Sequence, residues 1–196
     1  MNRIRLEQES GRVPGALFLA GERVELRTIE SEDIEAVRRW MNHTEIRRYI
    51  DEFRYPTSRT EYEEWADDGV SSGRVDLLIC VDGDPVGRIR LVPLDETRGW
   101  GNLGFVIGPD HCHNGYATEA ADLIVEYAFT ELRLHRLEGK ALAPNEGSQR
   151  VLETLGFVRE GRRREVAVVD GEYVDEVWYG LLRAEWADTS GDSDGA

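Results

Sequence analysis

The chain has 196 residues and carries 24 Lys and Arg against 39 Asp and Glu, a formal net charge of −15, with a pI near 4.7. With 40% apolar and 9% aromatic residues it is too hydrophobic for a disordered chain, and its length suits one domain with a real core. The acidic balance excludes a protein that grips nucleic acid by neutralising phosphates, and no apolar run approaches the ~20 residues of a membrane-spanning helix. No basic segment followed by a long apolar stretch opens the chain, so a cytoplasmic location is expected, without a membrane partner. Cys80 and Cys112 are too few for a disulfide framework or a closed zinc site. Lys140 is the single lysine, every other basic residue being arginine. Carboxylate excess with so little lysine resembles proteins adapted to molar salt, which predicts a halophilic-type acidic surface.

Residues 1–21 and 187–196 read as loosely held ends, the second an acidic flexible tail, and 22–186 as one domain. Val24 to Arg27 alternates as a strand does, and Ser31 caps a helix with apolar residues at Ile34, Val37, Trp40 and Met41. Further helices are predicted over about Thr44 to Ile50 and Ser58 to Asp67. Val75 to Val81 and Val86 to Val92 form a hairpin around Asp82-Gly83-Asp84, and Trp100 to Ile107 is another strand ended by Gly108-Pro109. From Gly115 a helix is signalled by Ala120, Leu123, Ile124, Tyr127 and Ala128, ending near Leu132. Arg136 to Ala143 is a strand broken by Pro144. A short helix with Ser148, Val151, Leu152 and Leu155 on one face closes at Gly156, and strands over Phe157 to Val169 and Tyr173 to Leu182 join through Asp170-Gly171.

Gly104 to Gly156 carries the chemistry. A strand runs into Cys112-His113-Asn114-Gly115-Tyr116-Ala117-Thr118-Glu119-Ala120, where a helix begins. Small residues at Gly115 and Ala117 let backbone amides approach a ligand, and a helix N-terminus holds a phosphate or pyrophosphate without needing lysine. The plain alternative is a glycine-containing loop capped by Thr118. Three adjacent residues, His111-Cys112-His113, cannot all turn to one metal ion, so no metal is expected. His43 and His135 read as surface or helix-end residues. Glu119 reads as a first-turn carboxylate favoured by the helix dipole, and Trp40, Trp65, Trp100, Trp178 and Trp186 as packing residues.

The Cys112 to Ala120 segment resembles the coenzyme A pyrophosphate loop of the GNAT superfamily of N-acetyltransferases. Asn145-x-x-Ser148-x-x-Val151-Leu152-Glu153-x-Leu155-Gly156-Phe157 is similar to the next signature of that family. Gly171-x-Tyr173-x-Asp175 with Leu181-Leu182-Arg183-x-Glu185-Trp186, and the opening Val24-x-Leu26-Arg27, resemble the branch that acetylates ribosomal-protein N-termini. The resemblance implies an α+β fold whose mixed central sheet is splayed between its fourth and fifth strands, Trp100 to Ile107 and Arg136 to Ala143, with flanking helices. It implies acetyl-CoA as co-substrate. The backbone of Phe105, Val106 and Ile107 would pair with the pantetheine amides. Cys112, His113, Asn114, Gly115, Tyr116, Ala117 and Thr118 would hold the pyrophosphate, and Asn145 would bind the acetyl or pantetheine arm.

Two departures stand out. The place where many members carry a tyrosine acid is Leu152, and the place of the usual glutamate base is Asn102, an amide that cannot take a proton. Ser148, on the inward face of the short helix, is the remaining candidate acid, with Asn145 beside it; each has an ordinary role as cap or packing residue. Direct acetyl transfer from thioester to a primary amine is expected, with no acyl-enzyme at Cys112. The resemblance points to a protein N-terminal α-amino group as acceptor; the alternatives are a polyamine or antibiotic amine, or a catalytically weak CoA-binding regulatory module. A homodimer is possible by analogy with the family alone.

Overall fold

Asp82 and Gly83 have φ of 52° and 86°, and Asp170 and Gly171 of 51° and 88°, the left-handed pair that a two-residue hairpin turn needs to match the twist of its strands. The computed structural model describes residues 15–50, 56, 58–61 and 74–190. The first turn joins β3 (Val75–Val81) to β4 (Asp84–Asp95) and the second joins β7 (Val158–Val169) to β8 (Glu172–Leu182). With β1 (Leu17–Ala20), β2 (Glu25–Thr28), β5 (Trp100–Ile107) and β6 (Arg136–Leu142) they form one eight-stranded sheet in the order β1-β2-β3-β4-β5-β6-β8-β7. The expected α+β mixture with flanking helices is present. Its split falls between the fifth and sixth strands, because β1 adds one ahead of those legible in the sequence.

β1 lies within the stretch read as loosely held, yet it pairs antiparallel with β2. Four residues with little alternation give no periodic signal; the pairing to β2, Leu19 against the core and the Phe18 ring edge-on to Tyr127 order them. At the other end, α5 (Arg183–Ser190) runs past residue 186 into the expected tail. The helix expected after Ser31 is α1 (Ile34–Asn42), preceded by a 3-10 turn over Ser31–Asp33. The N-cap of that 3-10 turn is Glu30 rather than Ser31: the Glu30 amide donates to Asp33 Oδ2 at 3.0 Å in a reciprocal capping box, and Asp33 is in turn the N-cap of α1. The next helix is shorter than expected, α2 (Thr44–Arg47), with His43 at its N-cap accepting from the Glu45 amide. Most of the helix expected over Ser58 to Asp67, Trp65 included, lies outside the described residues.

Apart from Asp76, β3 reads as an apolar run because both its faces are covered. Leu77 and Ile79 join a core formed with α3 (Tyr116–Thr130), through Ala120, Ile124 and Phe129, and with α4 (Glu146–Thr154), through Leu152. Leu78 and Cys80 face the other way, onto Ile34, Val37, Trp40 and Met41 of α1. On that second face the sheet also carries charge. Arg88, 3% exposed, donates from Nε and Nη2 to the two Asp76 oxygens at 2.7 and 2.6 Å.

A buried pair of this kind stabilises little as a whole, but removing one partner strands the other without solvent. Asp76→Ala should cost about 3 to 5 kcal/mol, read by urea unfolding, whereas Arg88→Met combined with Asp76→Leu should recover most of that loss. Equal losses in the single and double variants would show that the pair is not the source.

Candidate active site

β5 and β6 are parallel neighbours for only part of their length. Their pairing runs from Trp100↔Arg136 to Leu103↔Gly139 and stops. Beyond it, β5 stays with β4 to Ile107↔Gly87 while β6 stays with β8 to Leu142↔Glu176. The edge of Gly104 to Ile107 therefore has no strand beside it on the β6 side among the described residues. Its amides and carbonyls can pair with an extended ligand as with an added strand.

The short helix α4 closes one end of this split, and a set of close contacts holds it. Gly139 lets it approach β6: a Cβ there would stand 2.7 Å from Leu152 Cδ2. Asn145 caps it, Oδ1 accepting from the Ser148 amide at 3.2 Å, and Gln149 Nε2 donates to the Ala143 carbonyl at 2.9 Å. From β8, the buried Tyr179 hydroxyl lies 3.2 Å from Gln149 Oε1 and 3.0 Å from Glu153 Oε1. Burial, then the Glu153 carboxylate, pushes the Tyr179 hydroxyl up, so it stays protonated and serves as a tether.

The split opens into a cavity of about 140 Å³. Asn102 and Phe105 of β5 line it, with Asn145, Ser148 and Leu152 from α4 and its approach. Among the described residues the Ser148 hydroxyl and the Asn145 Nδ2 have no hydrogen-bond partner, so both are available as donors. Leu152 is 2% exposed and packs onto β6 at Gly139. Val106 and Ile107 turn their side chains into the two cores and offer only backbone.

Four charged residues that sequence reasoning did not assign to a site also face this region. Arg90, Lys140 and Glu176 line the same cavity, and Arg163 reaches Glu176. Glu176, 6% exposed, accepts from Trp178 Nε1 at 2.7 Å and lies 3.5 Å from Lys140 Nζ and 3.4 Å from Arg163 Nη1. The signal was faint: Glu176 and Trp178 sit at i and i+2 of one strand, hence on one face, but nothing in the sequence shows what that face meets.

At the other end of β5, Cys112 to Thr118 come together at the start of α3. Gly115 is the N-cap, with φ of 82° and no side-chain cap bond, so Thr118 is not the cap. The first amides of α3 point outward without partners in their own helix, a ready anion site. The Asn114 side chain steadies the loop through the His111 and Cys112 carbonyls at 3.1 and 3.2 Å. Burial, then the charges of Glu45 and Asp110, pushes the Cys112 thiol up, which keeps it protonated and a poor nucleophile near neutrality. Among the described residues no group of three or more His, Cys, Asp or Glu converges as a metal site would require.

Glu119 does more than sit in the helix dipole. Its Oε1 accepts from the Arg23 and Val24 amides at 2.6 and 3.1 Å, and Oε2 from Arg23 Nε at 2.9 Å. Arg23 Nη1 in turn donates to the Asn114 carbonyl at 3.0 Å. The turn between β1 and β2 is thus bolted to the anion loop by residues 96 positions apart, a link no local pattern reveals. Burial raises the Glu119 pKa, but the two amides and the guanidinium outweigh it, leaving the carboxyl below its usual range.

Residues 23–158 match the family profile of the acetyltransferase (GNAT) domain. The chain is 29% identical over 172 residues to the "Putative ribosomal N-acetyltransferase YdaF" of Bacillus subtilis strain 168, covering 84% of this chain and 94% of that protein. It is 30% identical over 152 residues to the spermidine N(1)-acetyltransferase of Escherichia coli K12, covering 76% and 81%. Among solved structures, a GNAT-family acetyltransferase from Bacillus anthracis superposes with a TM-score of 0.72 at 25% identity, over 88% of this chain and all of that one. A spermidine N-acetyltransferase from Vibrio cholerae, solved with CoA and spermine, has a TM-score of 0.78 at 22% identity, over 85% and 99%, a likeness of fold.

Because its folded pKa is depressed, Glu119 adds stability that is complete above the ordinary carboxylate value of about 4.3 and is lost as pH falls through its own lower pKa. Glu119→Gln should therefore melt lower than the parent chain at pH 7, with the gap closing below about pH 4. A gap that stays constant with pH would assign the loss to packing.

Proposed function

The chain belongs to the GNAT acetyltransferase family, and from that membership we propose that it moves the acetyl group of acetyl-CoA to the α-amino group of a protein. One observation carries the reading: the split between β5 and β6 opens into a cavity holding an unpaired hydroxyl and amide beside an unpaired strand edge, with an anion loop at the far end. Those features fit coenzyme A in order. The pyrophosphate would rest on the backbone from Cys112 to Thr118 and the pantetheine amides along Phe105 to Ile107. The Asn145 amide would then reach the arm close to the thioester.

The chemistry needed there is modest. The neutral amine attacks the acetyl carbonyl carbon, the carbonyl oxygen becomes an oxyanion, and a backbone amide of β5 stabilises it. When the carbon–sulfur bond breaks, the sulfur of coenzyme A takes a proton, and Ser148 is assigned as its donor, one of two hydroxyl-bearing residues, with Tyr49, that line the cavity. Asn102 cannot act as base, and the Glu176 oxygens are already engaged by Trp178, Lys140 and Arg163. The amine therefore arrives neutral or gives its proton to water.

The acceptor reading rests on charge. The cavity holds Arg90 and Lys140 against Glu176, and the adjoining larger one holds Arg47 and Arg48 against Asp170. A lining with more cations than carboxylates repels a polyamine and suits an amine set among carbonyls and carboxylates, as a peptide N-terminus is. This favours the likeness to YdaF over that to the spermidine enzyme.

Release of the coenzyme A thiol should be measured with acetyl-CoA against N-terminal Ser and Ala peptides, spermidine and an aminoglycoside, at low and molar KCl. Peptide turnover supports the proposal. Turnover of spermidine alone overturns the acceptor, and flat traces beside tight coenzyme A binding favour a regulatory module. In the same assay Ser148→Ala should lower kcat about 10²-fold or more with the KM for acetyl-CoA nearly unchanged, the size expected for a lost general acid. An unaltered kcat would remove Ser148 from the mechanism.

A further inference from the structure

A second cavity, of about 350 Å³, lies between α2 and the β7–β8 turn and shares Ile50 and Leu142 with the acetyl-transfer cavity. The two are therefore neighbours, and a chain whose amine sits in the inner one passes the outer one. Two adjacent arginines, the last residue of α2 and its C-cap, line the outer space. Arg48 Nη2 is paired with the Asp170 carboxylate and its guanidinium lies 5.0 Å from the Tyr49 ring centre. Its Nε is buried and, among the described residues, has no hydrogen-bond partner. A buried donor left unpaired is costly and rare, and it calls for an acceptor that the described residues do not supply. Arg47 is exposed and, among the described residues, has no ion-pair partner. Asp170 can neutralise one of the two guanidinium groups, not both.

We propose that Arg47 and Arg48 form a carboxylate subsite, so that this acetyltransferase prefers acceptor peptides with an Asp or Glu among the residues that follow the acetylated N-terminus. The inference rests on the peptide-acceptor reading above. An acidic side chain entering the outer cavity gives Arg48 Nε its missing acceptor and balances Arg47. Guanidinium groups present planar donor pairs that match a carboxylate. The preference is electrostatic, so it weakens as salt rises.

The test uses the full chain and tetrapeptides Ser-Ala-Ala-Ala, Ser-Ala-Asp-Ala, Ser-Asp-Ala-Ala and Ser-Ala-Lys-Ala, compared by kcat/KM at low and high KCl. The better acidic peptide should exceed the neutral one roughly fivefold at low salt, the size of a half-exposed ion pair, and the ratio should shrink at high salt. Arg47→Ala should bring the ratio close to one, Arg47→Glu should turn it toward the lysine peptide, and Arg48→Gln should lower it. Arg98→Ala, at an exposed turn outside both cavities, should keep the parent ratio. Because Arg47 is exposed, its variants fold, and circular dichroism checks Arg48→Gln. Equal kcat/KM for acidic and neutral peptides, or a ratio that survives Arg47→Glu, overturns the subsite while leaving the peptide reading intact. No turnover of any peptide beside turnover of spermidine overturns both.

Discussion

Everything at the site follows from two strands being committed to opposite neighbours. Past Leu103↔Gly139, β5 is held by β4 and β6 by β8, so their own pairing cannot continue. A sheet that parts in this way leaves main-chain donors and acceptors unpaired in its middle, which a soluble domain tolerates only if water or a ligand takes the place of the missing strand. The open edge is thus a cost to folding that becomes a recognition element once an extended, amide-bearing arm lies along it. The same divergence leaves α4 room to stand at the mouth of the gap.

That room has to be kept at a fixed width. The chain does so with close contacts rather than bulk: Leu152 pressed onto Gly139, the Asn145 cap, and the Tyr179 hydroxyl tied to Gln149 and Glu153. Leu152 does the packing on β6, while one turn earlier on the same helix the Ser148 hydroxyl lines the cavity. At the start of α3, the Arg23–Glu119 link fixes the loop from Cys112 to Thr118 relative to the first hairpin, so both ends of the split are anchored to the same sheet.

Much of this was legible in the sequence. The hairpin turns at Asp82-Gly83 and Asp170-Gly171, the apolar stripe of α3 and the Asn145 cap are local signals, written by φ preference and periodicity within a few residues. β1 was not legible, because four residues paired to β2 show no alternation of their own. Neither was the Arg23–Glu119 link nor the Lys140–Glu176–Arg163 group, since each joins positions brought near only by the sheet order. The helix of Ser31 was read correctly and its cap was not: Glu30 outdoes the serine because Asp33 answers it in a reciprocal box. The candidate site residues divide in the same way. Those announced by a motif lie along the β5–β6 split and at the start of α3, whereas the charges lining the cavity carry no motif at all.

Those charges run against the character of the whole molecule. A chain with formal charge −15 draws cations toward its surface, yet the described residues of the two cavities present more guanidinium and ammonium groups than carboxylates. A local field opposite in sign to the global one separates two tasks. The outer charge governs solubility and long-range encounter, which salt screens over ~8 to 10 Å at moderate ionic strength. The inner charge acts at contact distance, where partial burial shields it from the same screening. On the proposed peptide-acceptor reading, an acidic acceptor would be repelled weakly at long range and held at short range, whereas a polyamine would meet the reverse order. Selection among amines that share the same nucleophile would then fall to the walls of the approach rather than to the reacting atoms.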